Sequence, residues 1–339
     1  MKEVAVIILN WNGKEFLEKF LPGVIEHSTP VARVVVADNA SEDDSVEFLE
    51  KNFPQVEIVR NAVNGGFSQG YNDALEKIRA DYYILLNSDI EVTPGWIEPV
   101  IELMESDKNI GACQPKILAH HDKEMFEYAG AAGGYIDKYG YPFCRGRFFQ
   151  TLEKDLGQYD DNREIFWATG ACMFVKADLY HRLGGLDEDF FAHMEEIDFC
   201  WRLKNAGYKV MYCAGSKIYH VGGGTLPKSS SRKTFLNFRN NTFLMYKNLP
   251  SRRLPGVFLS RYVLDFAASL KFLLEGDFRD FFAVIRAHIA FWKNYPRFRK
   301  KRERQKHPLT TGIYQSNIAM DYFLKKKRYF SELDESKFS

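Results

Sequence analysis

The chain has 339 residues, 45% of them hydrophobic and 27% charged, which is enough to bury a large core and excludes an intrinsically disordered segment. Five widely spaced cysteines with no C-x-x-C pair exclude a disulfide framework and a zinc ribbon, and predict reduced thiols in a cytosolic setting. The formal net charge of +1 hides an asymmetry. Residues 1–227 carry 22 Lys and Arg against 36 Asp and Glu, whereas residues 228–307 carry 19 against 5. That contrast predicts two regions, 1–227 and a basic, mainly helical 228–339.

The apolar run Val4 to Asn10 is too short for a signal peptide and reads as a first strand. No apolar run reaches the ~18 residues of a membrane-crossing helix. Strands are predicted over Val4–Leu9, Val31–Ala37, Val56–Val59 and Tyr82–Leu86, with helices over 14–27, 42–52, 68–79 and 94–106 between and after them. Such alternation implies βαβ units with parallel strands. Ser41, ahead of an acidic turn, and Thr93, ahead of Pro94, are the expected starts of two of those helices. The Gly- and Tyr-rich stretch from Ile110 to Arg147 predicts irregular hairpins that wall a site. Beyond it come a strand over Phe166–Val175, helices over Lys176–Leu183 and 191–206, strands over Lys209–Tyr212 and Lys217–His220, and helices from Pro227 to the end.

Polar clusters follow several of the apolar runs, where the loops of an open α/β sheet converge on one crevice. Asn10-Trp11-Asn12-Gly13 can bring its backbone against a base, or simply turn. Asp38 can accept from a pyrimidine imide N–H or bind a ribose hydroxyl, or else Asp38 or Ser41 caps the next helix. Asn64-Gly65-Gly66-Phe67-Ser68, continuing to Asn72, opens a helix whose amides and dipole suit a phosphate. It matches neither the dinucleotide G-x-G-x-x-G nor the P-loop pattern. Asn87-Ser88-Asp89 ends a buried strand with a carboxylate that, with substrate phosphates, suffices for Mg²⁺ or Mn²⁺. Such a cation would offset charge on a departing diphosphate. His220 adds a nitrogen donor that favours Mn²⁺. Glu195, Glu196 and Asp198 crowd three carboxylates at a helix start, where like charges raise at least one pKa toward that of a general base, although acids also suit a helix N-terminus for dipole reasons alone.

These clusters in this order resemble family 2 glycosyltransferases, particularly the bacterial rhamnosyltransferase-like branch. The matching pieces are V-x-I-L-N-W-N, V-V-V-A-D-N-A-S-x-D, N-x-G-F-S-x-G-Y-N, Y-I-L-L-N-S-D, T-G-A-C-M-F-V, E-E-I-D-F-C-W-R and I-Y-H-V-G-G, spread over residues 4–224. The resemblance implies a GT-A fold, an α/β mixed sheet flanked by helices, and an inverting transfer from a nucleotide sugar with a divalent metal. It implies that Asp38 reads the pyrimidine within a nucleotide site of Asn10, Asn12, Asn64, Gly65, Asn72, Asn87 and Ser88. Asp89 would ligate the metal with His220 assisting, and Glu196 would be the base, with Glu195 or Asp198 in reserve. Two positions depart from the family: Asn87 stands where a D-x-D motif begins, and Glu196 where the base is usually Asp.

The expected partners are a nucleotide-sugar donor and a saccharide or lipid-linked acceptor, in cell-surface polysaccharide synthesis. The basic amphipathic region, ending in Arg297-Phe-Arg-Lys-Lys-Arg302, suits the anionic inner face of a cell membrane. Alternatively it packs on the acidic region or on a second copy in a homodimer. Nucleic acid is not expected, since no binding motif accompanies the charge. The competing readings are a non-catalytic carbohydrate binder or scaffold and a sugar-phosphate nucleotidylyltransferase. The latter should carry a Gly-rich, Arg- and Lys-containing loop where Asn10–Gly13 stands.

Overall fold

The computed structural model describes residues 2–222, 230–302 and 312–339, so the expected boundary at 227/228 lies outside the described residues. β1 (Val4–Asn10), α1 (Lys14–Ser28), β2 (Arg33–Asp38), α2 (Ser45–Asn52), β3 (Glu57–Arg60), α3 (Gly66–Leu75) and β4 (Tyr82–Asn87) alternate as expected. β1 lies between β2 and β4, β3 pairs beyond β2, and all four strands are parallel. Alternate residues of β1 enter different cores: Val4, Val6 and Ile8 meet Leu17, Leu21 and Val24 of α1, while Ala5 and Ile7 join Tyr71 and Ala74 of α3. A strand covered on both faces must be apolar throughout, which is why it reads as a continuous hydrophobic run.

Next come β5 (Ile90–Val92), α4 (Glu98–Ser106), β6 (Ile110–Ala119), β7 (Gly134–Asp137), β8 (Pro142–Cys144), β9 (Arg147–Phe148), β10 (Thr151–Leu152) and β11 (Arg163–Ile165). They are followed by β12 (Cys172–Lys176), α5 (Ala177–Arg182), α6 (Glu195–Asn205) and β13 (Lys209–His220). The main sheet has nine strands in the order β11-β13-β6-β12-β4-β1-β2-β3, with β5 pairing β13. β6 and β13 run parallel to each other, and β12 is antiparallel to both β4 and β6. The C-terminal part contains α7 (Ser231–Asn248), α8 (Leu254–Leu274), α9 (Phe278–Arg302), β14 (Ile313–Tyr314) and α10 (Ile318–Phe323). Phe243, Phe291 and Phe298 join Phe190 and Trp201 in one continuous apolar core, so the basic region is packed against the acidic one.

Several expectations are corrected. Residues 110–119 form a ten-residue, almost wholly buried central strand and not an irregular wall; only β7 to β10 form the expected short hairpins. The strand placed over Phe166–Val175 begins at Cys172, and the residues before it are loop. The two strands near 209–220 are one, β13, interrupted by a register shift between Cys213 and Lys217. Residues 312–339 are not simply helical, because β14 pairs with β7 in a second, five-stranded sheet. Nor do Ser41 and Thr93 start helices. α2 begins at Ser45, whose amide the Asp43 carboxylate accepts from, and α4 begins at Glu98 with Pro99 in its first turn. The Thr93 hydroxyl instead donates to the Lys217 carbonyl at 2.7 Å. All five cysteines are buried and none is disulfide-bonded.

Candidate active site

β1, β2, β4 and β13 all end at one edge of the sheet, in Asn10, Asp38, Asn87 and His220 respectively. Asn10 and Asp38 are direct neighbours in the pairing register, and Asn10 Nδ2 donates to Asp38 Oδ1 at 3.3 Å and to Ser41 Oγ at 3.2 Å. Asp38 Oδ2 accepts from the Ser41 amide at 3.1 Å. Asn12, at φ 50°, accepts from the Glu42 amide at 2.7 Å while its own amide donates to Ser41 Oγ at 3.0 Å. Ser41 is therefore the clasp joining the loops after β1 and β2, a role that helix-cap reasoning missed. Asn10 Oδ1 is buried without a hydrogen-bond partner among the described residues. A Cβ at Gly13 would lie 2.5 Å from that oxygen and 3.6 Å from Ser88 Oγ, so the β1 loop packs against the β4 loop.

The Gly-rich segment is placed differently from expectation. The Gly66 amide donates to Asn64 Oδ1 at 2.9 Å and the Phe67 amide to the Phe191 carbonyl at 3.1 Å, so the first two amides of α3 are already taken and do not await a phosphate. Asn64 also accepts from Asn39 at 3.0 Å. Gly65 packs against Gln69, and Gly66 adopts φ 76° with the Phe191 ring 2.8 Å from where a Cβ would sit, so only glycine fits there. Asn72 is fully engaged away from the edge. It accepts from Tyr180 at 2.7 Å and from the Leu186 amide at 3.0 Å, and donates to the Leu186 carbonyl at 2.8 Å. It ties α3 to the loop after α5, a correction to its expected place among nucleotide contacts.

Asp89 follows β4 and is mostly buried. Its Oδ1 lies 3.2 Å from His220 Nε2, and its Oδ2 accepts from the Gly222 amide at 3.3 Å. On the other side of the imidazole, Nδ1 lies 3.3 Å from Glu127 Oε2. Glu127 carries no local signal in sequence, because the His220 that gives it meaning lies 93 residues further along the chain. Burial opposes charge on both Asp89 and His220, yet each sustains the other. Asp89 is held below the usual carboxylate range by His220, and His220 is pushed up to about 10 by Asp89 and Glu127. Among the described residues no three His, Cys, Asp or Glu side chains form a ready-made metal cage. One carboxylate and one imidazole at a crevice edge do suit a cation that takes its remaining ligands from water and a diphosphate. Glu127 behind Nδ1 is the outer carboxylate that ligating histidines commonly have.

Glu195, Glu196 and Asp198 occupy the first turn of α6 but not one environment. Asp198 is fully buried and accepts from Lys247 at 2.7 Å, Arg202 at 2.8 Å and Asn248 at 2.8 Å. Against the effect of burial, Lys247 and Arg202 hold its carboxyl below the usual range. Asp198 is thus a structural anion, which corrects its expected place as a reserve base. Glu195 is buried, and burial together with the Glu196 charge pushes its carboxyl well up. Glu196 is half-buried, with Oε2 itself shielded and unpartnered among the described residues, and burial pushes its carboxyl up to about 7. Its Cβ lies 3.8 Å from where a Gly170 Cβ would be, and the next residue, Ala171, accepts from the Asn87 amide at 3.0 Å. Glu196 therefore borders the strand end that carries Asp89.

A model of glycosyl transferase family 2 matches residues 5–184. An N-acetylglucosaminyl-diphospho-decaprenol L-rhamnosyltransferase of Mycobacterium tuberculosis is 25% identical over 235 residues, covering 64% of this chain and 75% of the relative. Rhamnosyltransferase WbbL of Escherichia coli K12 is 24% identical over 227 residues, covering 64% and 83%. Among solved structures, GalNAc-T7 with UDP, GalNAc and Mn²⁺ superposes with a TM-score of 0.56 at 16% identity, covering 74% of this chain and 49% of that one. Mannosyltransferase PcManGT of Pyrobaculum calidifontis, with GDP-Man and Mn²⁺, gives 0.52 at 15% identity, covering 87% and 75%. These two bear on the fold, which is the GT-A arrangement. With the family match spanning more than half its length, the chain belongs to glycosyl transferase family 2 and is a glycosyltransferase.

Proposed function

We propose that this glycosyltransferase moves a sugar from a UDP- or dTDP-sugar to a hydroxyl of a saccharide or lipid-linked acceptor, inverting the anomeric centre in a single displacement. The product would enter cell-surface polysaccharide on the cytoplasmic side, the setting that its reduced thiols suit. The observation that carries the reading is Glu196: a half-buried side chain whose carboxyl, with one oxygen shielded and unpartnered among the described residues, is raised to about 7, bordering the end of β4, after which Asp89 pairs with His220. A base with that pKa is half-deprotonated near neutral pH and can still take a hydroxyl proton. The loops joined by Ser41, with Asp38, Asn10, Asn12, Asn87 and Ser88, would hold the nucleotide beside it.

Asp89 and His220 would hold Mg²⁺ or Mn²⁺, which when bound would offset charge on the departing diphosphate. His220 must first lose the proton that the two carboxylates stabilise, so binding the cation releases a proton. Phe67, against Gly170 and Tyr71, presents an apolar wall beside Glu196 that keeps water from the base. The test is thermal stabilisation by UDP, dTDP and GDP, with and without Mn²⁺, followed by release of nucleoside diphosphate from the matching sugar donors in the presence of acceptors. Stabilisation with Mn²⁺ and acceptor-dependent release are expected. A non-catalytic binder would be stabilised and release nothing.

A further inference from the structure

α8 and α9 are joined by Glu275–Asp277 and pack together as a helical hairpin. Its inner side is polar as well as apolar: Arg261 pairs with Asp265 at 3.0 Å, and His288 lies 3.3 Å from the same carboxylate. The outer side of α8 carries Leu259, Val263, Phe266, Leu270 and Leu274, with exposures from 39% to 89%. Their spacings of 4, 3, 4 and 4 place them along one line of the helix. On α9, Phe278, Phe282, Ile285, Ile289 and Trp292 make a second exposed line. Unbroken apolar faces of this kind mark interaction sites, in contrast to scattered surface leucines.

The charges of this region divide in two. Lys247 and Lys301 turn inward onto Asp187, and Arg297 lies 2.7 Å from Asp189, so these three pair with carboxylates of the acidic half. Arg279, Arg286 and Lys293 stay exposed at seven-residue intervals, each one position after a member of the α9 stripe. A heptad interval drifts only about 20° around a helix, so they form a basic column along one flank of the apolar line. No described helix is long and apolar enough to cross a membrane. An apolar stripe beside a basic column is the pattern of a helix lying in a lipid interface. A second copy docked stripe to stripe would have to accommodate two such columns of like charge at its rim.

We infer that the outer face of the α8–α9 hairpin rests on an anionic lipid surface, with the apolar stripes at the acyl boundary and Arg279, Arg286 and Lys293 at lipid phosphates. The inference stands apart from the transfer reaction, because its readout is vesicle binding. The full chain would be floated with phosphatidylcholine vesicles and with equal mixtures of phosphatidylcholine and phosphatidylglycerol, at low and high salt. Binding to the mixed vesicles is expected, weakened by salt. Phe282→Glu with Ile289→Glu should abolish it, leaving the melting temperature and nucleoside diphosphate binding unchanged. Arg279→Gln, Arg286→Gln and Lys293→Gln together should cut the anionic preference roughly tenfold or more. A chain that stays unbound at low salt, or binding that neither variant disturbs, overturns the inference. So does a dimer seen by light scattering that the Glu variants dissolve while vesicles capture nothing, which would give the face to a second copy.

Discussion

Asn240 Nδ2 lies 2.8 Å from the carbonyl oxygen of His193, and 2.8 and 2.9 Å from those of Ala192 and Phe190. Through this buried amide, and through Arg239, which donates to the Asp189 and Phe190 carbonyls at 3.2 and 3.0 Å, α7 holds the loop that delivers Glu195 and Glu196. The loop needs holding, since Phe191, His193 and Met194 all have positive φ, at roughly 1–3 kcal/mol each for non-glycine residues. Replacing Asn240 by Leu removes the clamp at a site remote from donor and metal. The expected result is a fall in kcat of about ten- to a hundredfold, as for a slightly misplaced base, with nucleoside diphosphate affinity unchanged by calorimetry. An unaltered kcat would show that the loop holds its conformation without the Asn240 amide.

Glu196→Gln is the direct test of the base. Transfer should fall by ~10²-fold or more while donor nucleotide still binds. In the wild type, kcat/KM should rise as pH passes through about 7, because only the carboxylate accepts the proton, and the variant should lack that limb. The same shift has a consequence for stability. A folded-state pKa above the unfolded value of about 4.3 means that the native state binds more protons between them, so this contribution is present at low pH and is lost as pH rises through about 7. Glu196→Gln should therefore melt higher than wild type at pH 8, with the gap closing in acid.

The fold was legible where physical signals were local. Runs such as Val4–Asn10 and Tyr82–Asn87 announce buried parallel strands, and the order of the polar clusters announces a shared edge. β6 was missed because a strand buried on both faces that contains Gly111, Pro115 and Lys116 shows neither alternation nor a clean apolar run. Lys116 is tolerated there because Asp155, far along the chain, pairs with it at 2.8 Å. The same cause hid Glu127, whose meaning depends on His220. It also separated Glu196 from Asp198: identical signals in sequence, divided by Lys247, which only the folded chain brings near.

Glu127 is expected to act on the cation through His220. Glu127→Ala should weaken Mn²⁺-dependent nucleoside diphosphate binding about 10- to 100-fold, as loss of an outer-shell carboxylate usually does. Glu127→Gln, which can still accept from Nδ1, should weaken it less. Asp89→Ala should remove the Mn²⁺ dependence altogether. Calorimetry with and without Mn²⁺ separates these outcomes, and equal affinity across the three variants would remove Asp89 and His220 from the metal.

Lys247 joins the basic region to two buried carboxylates, lying 2.6 Å from Asp187 Oδ2 and 2.7 Å from Asp198 Oδ2. Lys247→Met keeps the length and removes the charge, leaving Asp187 to Lys301 and Asp198 to Arg202 and Asn248. Breaking one partner of a buried ionic group costs about 3–5 kcal/mol, so the variant should melt far below wild type at pH 7. Burial opposes the charge on both acids, but Lys247 and its neighbours hold both carboxyls below their ordinary values. That stabilisation is fully present above the unfolded pKa of about 3.9 and is lost as pH falls through the lowered folded values. The melting-temperature gap between Lys247→Met and wild type should therefore be at its full size above about pH 4 and narrow as the pH falls further, through the lowered folded values. A gap that does not narrow at all as the pH is taken from about 4 down to about 2 would mean that Lys247 acts through its packing and not through its charge.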